Sequence, residues 1–158
     1  MTLCGCLRGR PDEDLLAVFD GHGGQAVAEF CAMLICVVVQ EILAAGSFSS
    51  MADFWYQVFH QLNNQVEQEL GEEAHDSGAT AAIALIQQDT VHVANVGDSR
   101  AVLGCVSPSA PRVASVPCLT APAMRRSTAG LALQRGSRLI TSRAMKVKRH
   151  VLKPLEGL

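Results

Sequence analysis

Acidic side chains are absent between Asp98 and Glu156, so no carboxylate-based site can be built from the last third of the chain. Residues 121–158 also lack aromatics, which excludes a nucleic-acid surface made by stacking bases on rings. A nucleic-acid or anionic-membrane partner would have only the charge of that segment to recognise, and neither is expected. No apolar run exceeds the ten residues Phe30–Val39. A bilayer span needs ~20, so a buried core helix is expected there and a transmembrane segment is not. Internal repeats are missing, which excludes solenoids and propellers. Of the six cysteines, Cys4 and Cys6 lack a second pair at zinc spacing, and Cys31 and Cys36 fall within an apolar helical run. No secretory signal pattern opens the chain, so free thiols in a reducing, intracellular setting, cytoplasmic or nuclear, are expected.

What is present reads as one globular unit with a foreign end. Of the 158 residues, 49% are hydrophobic and only 18% charged, enough to bury a core. The net charge of −2 conceals an asymmetry: residues 1–120 hold four of 13 basic and 14 of 15 acidic side chains, whereas 121–158 hold nine basic and one acidic. The chain therefore divides near Thr120. Residues 1–120 are expected to form the folded part, and 121–158 a basic, irregular, disordered tail.

Periodicity supplies the elements. Residues 14–19 predict a short buried strand, and Gly24 to Ala45 a helix apolar on most faces. Gly46 to Ser50 is a loop, and 51–70 a second helix, with Phe54, Val58, Leu62, Val66 and Leu70 on one face. Residues 79–86 and 91–96 read as an antiparallel hairpin around 87–90, and Ser99 to Leu103 as one more strand. The class is α+β.

Chemistry concentrates where Leu15 to Phe19 runs into Asp20-Gly21-His22-Gly23-Gly24. A strand-ending acid beside bare glycine backbone lets a cation or phosphate approach side chain and main chain together. An ordinary Asp-Gly turn with a surface histidine is the plain alternative. A second acid-centred break, Gly97-Asp98-Ser99-Arg100, also follows an apolar strand. Two such ends could bring Asp20 and Asp98 together, and grouped carboxylates suit a hard cation such as Mg²⁺ or Mn²⁺.

Val18 to Gly24 resembles the hallmark motif of the metal-dependent protein serine/threonine phosphatases, the protein phosphatase 2C or PPM type. Ser77-Gly78-Ala79-Thr80-Ala81 and Val93 to Leu103 resemble two further family segments in the right order, so the likeness covers about residues 12–104. It implies two stacked antiparallel sheets flanked by helices, an α-β-β-α sandwich of which this chain supplies part. It further implies that Asp20 bridges two cations, Mg²⁺ or Mn²⁺, that the Gly21 carbonyl binds one, and that Asp98 lies near a third position. His22 would protonate the leaving alkoxide of a phosphoserine or phosphothreonine in a protein substrate. Gly23, Gly24, Gly78, Thr80, Gly97 and Ser99 would position these groups.

The likeness has gaps. The family's upstream arginine and metal-binding glutamate have no match in Met1 to Arg10; Arg8 or Arg10 as a phosphate ligand is weighed against plain solvated charges. After Leu119-Thr120, the later family aspartates find no counterpart. The expectation is a truncated phosphatase with little or no activity, its tail of different origin such as a spliced or shifted reading frame. The alternative is a non-catalytic isoform that binds a protein partner.

Overall fold

The structure is a computed structural model that describes residues 1–101, 103–107, 110–114 and 141–146, the last three stretches through their backbone. A β-strand β1 (Thr2–Cys4) and a single 3-10 turn (Leu7–Gly9) lead into β2 (Glu13–His22). Two long helices follow, α1 (Ala26–Ala45) and α2 (Met51–Leu70), then the short α3 (Glu73–Asp76) and the hairpin β3 (Gly78–Gln87) and β4 (Thr90–Val96). Strands β5 (Leu103–Ser107) and β6 (Ala110–Ala114) pair with each other, and β7 (Thr141–Lys146) closes the series. The main sheet is antiparallel with order β1-β2-β3-β4-β7.

Strand alternation sorts this sheet into two faces. Leu15 and Ala17 of β2, with Ala81, Ile83 and Leu85 of β3 and Ala94 of β4, point into the main core. α1 and α2 cover that face through Val27, Cys31, Ile35, Val38, Phe54, Trp55, Val58 and Phe59. Phe54 meets Trp55 edge-on at 4.9 Å and Phe48 at 5.1 Å, geometry that adds to the area these rings bury. On the other face, among the described residues, Val91 and Val93 gather Ala84, Ile86 and Ala101. Leu16 and Val18 stand there 39% and 46% exposed.

The helix boundaries follow local chemistry. Gly46, at φ 62°, ends α1 by donating its N–H to Ile42 O at 3.1 Å, a left-handed stop that glycine takes without strain. Ser50 caps α2: its Oγ accepts from Asp53 N–H, while Asp53 Oδ2 accepts from Ser49 N–H at 2.8 Å. By length and composition α1 could cross a membrane, a test that core helices also pass, although its longest unbroken apolar run is ten residues. That run ends at Gln40-Glu41, yet Ile42 to Ala45 extend the same apolar helix. Here its inner stripe packs on the sheet and α2 as a core helix does.

Three further expectations shift. β2 continues through Asp20 and Gly21 to His22, because small residues at 78–80 let the ladder with β3 go on. Ser99 to Ala101 is not strand; the chain turns at Gly97 and strand structure resumes at Leu103. Within the segment expected to be irregular, Thr141–Lys146 pairs along β4, where an open edge otherwise leaves backbone groups without ladder partners. The remainder of 121–158, and Leu119-Thr120, lie outside the described residues.

Candidate active site

Asp20 falls on the exposed face of the sheet by the same alternation that buries Leu15 and Ala17. Directly across from it on β3 is Thr80, with Gly21 opposite Ala79 and His22 opposite Gly78. Thr80 in turn lies against Gly97: a Cβ built on Gly97 would come within 2.8 Å of Thr80 Cγ2. The Thr80 and Ser99 hydroxyls hydrogen-bond each other. Asn95 Nδ2 donates to the Ser99 carbonyl at 3.3 Å, holding the 97–99 turn back over β4. Asp20, Thr80 and the Gly97-Asp98-Ser99 turn therefore share one end and one face of the sheet, with Asp98 exposed beside them.

The glycines make the turn after β2 possible. Gly23 has φ 71°, and a Cβ there would sit 2.0 Å from the Asp76 carbonyl oxygen. No side chain fits that gap, so the backbone before β3 can close directly on the turn. Gly24 packs against Ser77, which is itself buried. Gly21 leaves room for the Gly24 carbonyl and the Ala28 methyl. A Cβ on Gly78 would lie 2.6 Å from His22 Nε2, so the imidazole rests over bare backbone. The motifs at 20–24 and 77–80 are thus one packed unit.

Arg8 and Arg10 belong elsewhere. Arg8 grips Glu13 through Nε at 3.0 Å and Nη2 at 2.8 Å, and Arg10 Nη1 reaches the same carboxylate at 3.2 Å. Glu13 is only 4% exposed and also accepts from Gln87 Nε2 at 3.3 Å. The arginines are neither phosphate ligands nor simple solvated charges. Glu13 opens β2 and Asp20 lies seven residues on, about 23 Å at ~3.3 Å per residue, beyond any arginine's reach.

The donors do not fit the cation pair that the family resemblance implies. Among the described residues, no three His, Cys, Asp or Glu side chains converge. Asp20 and Asp98 share a neighbourhood with the Thr80 and Ser99 hydroxyls, and the one further carboxylate on β2's buried side, Glu13, is spent on two arginines. Such a set can weakly hold one hydrated cation, but two divalent cations need more oxygen ligands. Ser77 and Asn95 entered the sequence reading only as members of the family-like segments, with no role of their own, and Asp76 did not enter it. A polar Asn inside the apolar run Val91–Val96 is the one signal that could have marked its role.

A sheet with helices on one face, and an Asp-Gly-His-Gly-Gly turn locked to a Ser-Gly-Ala-Thr strand on the other, defines half of a layered phosphatase-type fold. The profile of the family described as Protein phosphatase 2C matches residues 2–110, and the chain belongs to that family. It is 36% identical over 109 residues to the "Probable protein phosphatase 2C 8" of Oryza sativa subsp. japonica, covering 58% of this chain and 27% of the relative. Over 98 residues it is 34% identical to the "Protein kinase and PP2C-like domain-containing protein" of Arabidopsis thaliana, covering 56% and 14%. The chain thus spans about a quarter or less of these relatives' lengths. Among solved structures, a C. elegans sex determining protein superposes with a TM-score of 0.58 at 19% identity, covering 86% of this chain and 40% of that one. The serine-threonine phosphatase 2C from Toxoplasma gondii gives 0.50 at 20%, covering 72% and 42%. These two likenesses show the fold.

Proposed function

We propose that this chain is a protein serine/threonine phosphatase by descent that, on its own, turns over phosphoserine and phosphothreonine proteins little or not at all. The observation that carries this reading is the ligand count: Asp20 and Asp98 reach one end of the sheet, and no third donor side chain joins them among the described residues. The family reaction, attack of metal-activated water on phosphorus, needs cations both to acidify the water and to neutralise the phosphoryl group. Whichever of Mg²⁺ or Mn²⁺ serves the family, this half-site would hold it weakly.

The test is turnover of a phosphoserine peptide by the purified chain in millimolar Mn²⁺, alongside Asp20→Asn. The expected result is the same low background for both. Turnover that disappears in Asp20→Asn would overturn the proposal and restore catalysis to the chain.

A binding or regulatory role is the second reading, favoured by Leu16 and Val18, which stand exposed on the sheet face that also carries Asp20. If it holds, adding the chain to a complete family phosphatase changes that enzyme's turnover. An intracellular setting, cytoplasmic or nuclear, belongs to the same proposal and rests on Cys4, Cys6, Cys31 and Cys36 being free thiols.

A further inference from the structure

We propose that Cys4 of β1 and Cys36 of α1 are a redox-modifiable pair that closes into a reversible disulfide and pins the first strand to the first helix. The geometry starts from Thr2, whose Oγ1 donates to the Ala32 carbonyl at 2.7 Å, fixing β1 alongside α1. Two residues along a strand advance ~6.6 Å, and four along a helix advance ~6 Å. Moving from Thr2 to Cys4 and from Ala32 to Cys36 therefore covers nearly the same distance along two adjacent elements, on the same strand face and the same helix face. That places the two sulfurs side by side. Both side chains pack against the edge of the main core, and both thiols are half-buried and free. Burial pushes the Cys36 thiol up to about 12, with a hydrogen bond to Cys4 and the charge of Cys4 acting in the same direction. The hydrogen bond between the two thiols places their sulfurs within reach of one another.

With a peroxide as oxidant, the step balances. The Cys4 sulfur attacks one peroxide oxygen, the O–O bond breaks, and Cys4 becomes a sulfenic acid with release of water. The Cys36 sulfur then attacks the Cys4 sulfur, the S–O bond breaks, and the oxygen leaves as a second water carrying the Cys36 proton. Two thiols lose two electrons, and the peroxide is reduced to two waters. A thiol reductant reverses the bond by exchange. The other described thiols are poorly placed: Cys31 is fully buried, and Cys6 lies past the end of β1 in a left-handed conformation. The closed ring would enclose all of β2 and the Asp20–Gly24 turn.

The experiment treats the full chain with hydrogen peroxide, blocks the remaining thiols and digests with trypsin. The bond should join peptide Met1–Arg8 to peptide Gly9–Arg100, survive in Cys6→Ala and Cys31→Ala, and vanish in Cys4→Ala and in Cys36→Ala. Oxidation should raise the melting temperature by on the order of 10 °C, an effect reversed by dithiothreitol and missing from both single variants. Circular dichroism of the reduced variants, matching the reduced parent, separates loss of the bond from loss of the fold. A link between Cys4 and Cys6, a link through Cys105 or Cys118, or separate oxidation of Cys4 and Cys36 without a link would each overturn the proposal.

Discussion

Replacing Gly23 with alanine tests whether the turn after β2 is held by packing or only by backbone conformation. Gly23 sits at φ 71°, and Gly9 at φ 72° provides a matched control, because nothing lies within 4 Å of a Cβ built there. Holding alanine in the left-handed region costs about 1–2 kcal/mol at either site. At Gly23 the new methyl would also lie 2.0 Å from the Asp76 carbonyl oxygen, well inside van der Waals contact. That oxygen belongs to the backbone entering β3, so the turn or the strand entry must move by over an ångström. Overpacking of this kind costs roughly 1–3 kcal/mol. Gly9→Ala should therefore lose about 1–2 kcal/mol, and Gly23→Ala about 2–5 kcal/mol. Urea denaturation followed by circular dichroism measures both, with the midpoint shift converted through a common slope. Equal losses in the two variants would refute the reasoning, because they would show that the 20–24 turn gives way freely and is not locked to residues 76–78.

Three further outcomes follow from the same physical accounting. Arg8→Ala strands Glu13 as a buried carboxylate with only Arg10 and Gln87 left; because the Arg8 side chain is 24% exposed, the loss should be about 2 kcal/mol, below the range for a fully buried pair, and urea unfolding reads it. His92 on β4 is half-buried, and desolvation lowers its pKa, so the folded state favours the neutral ring. Stability should hold above the ordinary histidine value of ~6.5, fall as pH drops below it, and level off under the lowered folded value; His92→Gln should flatten that part of a melting-temperature profile. Ser50→Ala removes the Oγ that accepts from Asp53 N–H and should cost about 1 kcal/mol, read as loss of helical signal at lower urea.

Much of the architecture was legible because it depends on short-range pattern. α2 occupies 51–70 as its four-residue apolar spacing predicts, and the β3–β4 hairpin brackets the expected turn. The capped start of α2 and the Gly46 stop of α1 are written in single residues. The candidate site was legible as three motifs in order, but their mutual placement was not. Nothing local says that Gly23 must clear the Asp76 carbonyl, that His22 lies over Gly78, or that Thr80 bonds Ser99 across nineteen positions. The N-terminal arginines were misread although Glu13 lies only five and three residues on, because its burial at the start of β2, where Gln87 joins it from 74 positions away, is what makes it their partner. Strand β7 had no signal of its own beyond weak alternation; the open edge of β4 organises it.

The Asp20-Gly21-His22-Gly23-Gly24 run and its companions at 77–81 and 93–103 determined, from sequence alone, the lineage of this protein and the kind of chemistry its ancestors perform. Family motifs persist as strings because each residue type is required for its local geometry. Only the tertiary structure decided which donors meet. Alternation along β2 sends Glu13 to the helix side, where two arginines hold it, and Asp20 to the open side, where Thr80 lies directly across and the 97–99 turn lies one strand beyond. A cation site depends on distances among side chains from separate strands, and those are set by register and packing rather than by neighbours in the chain.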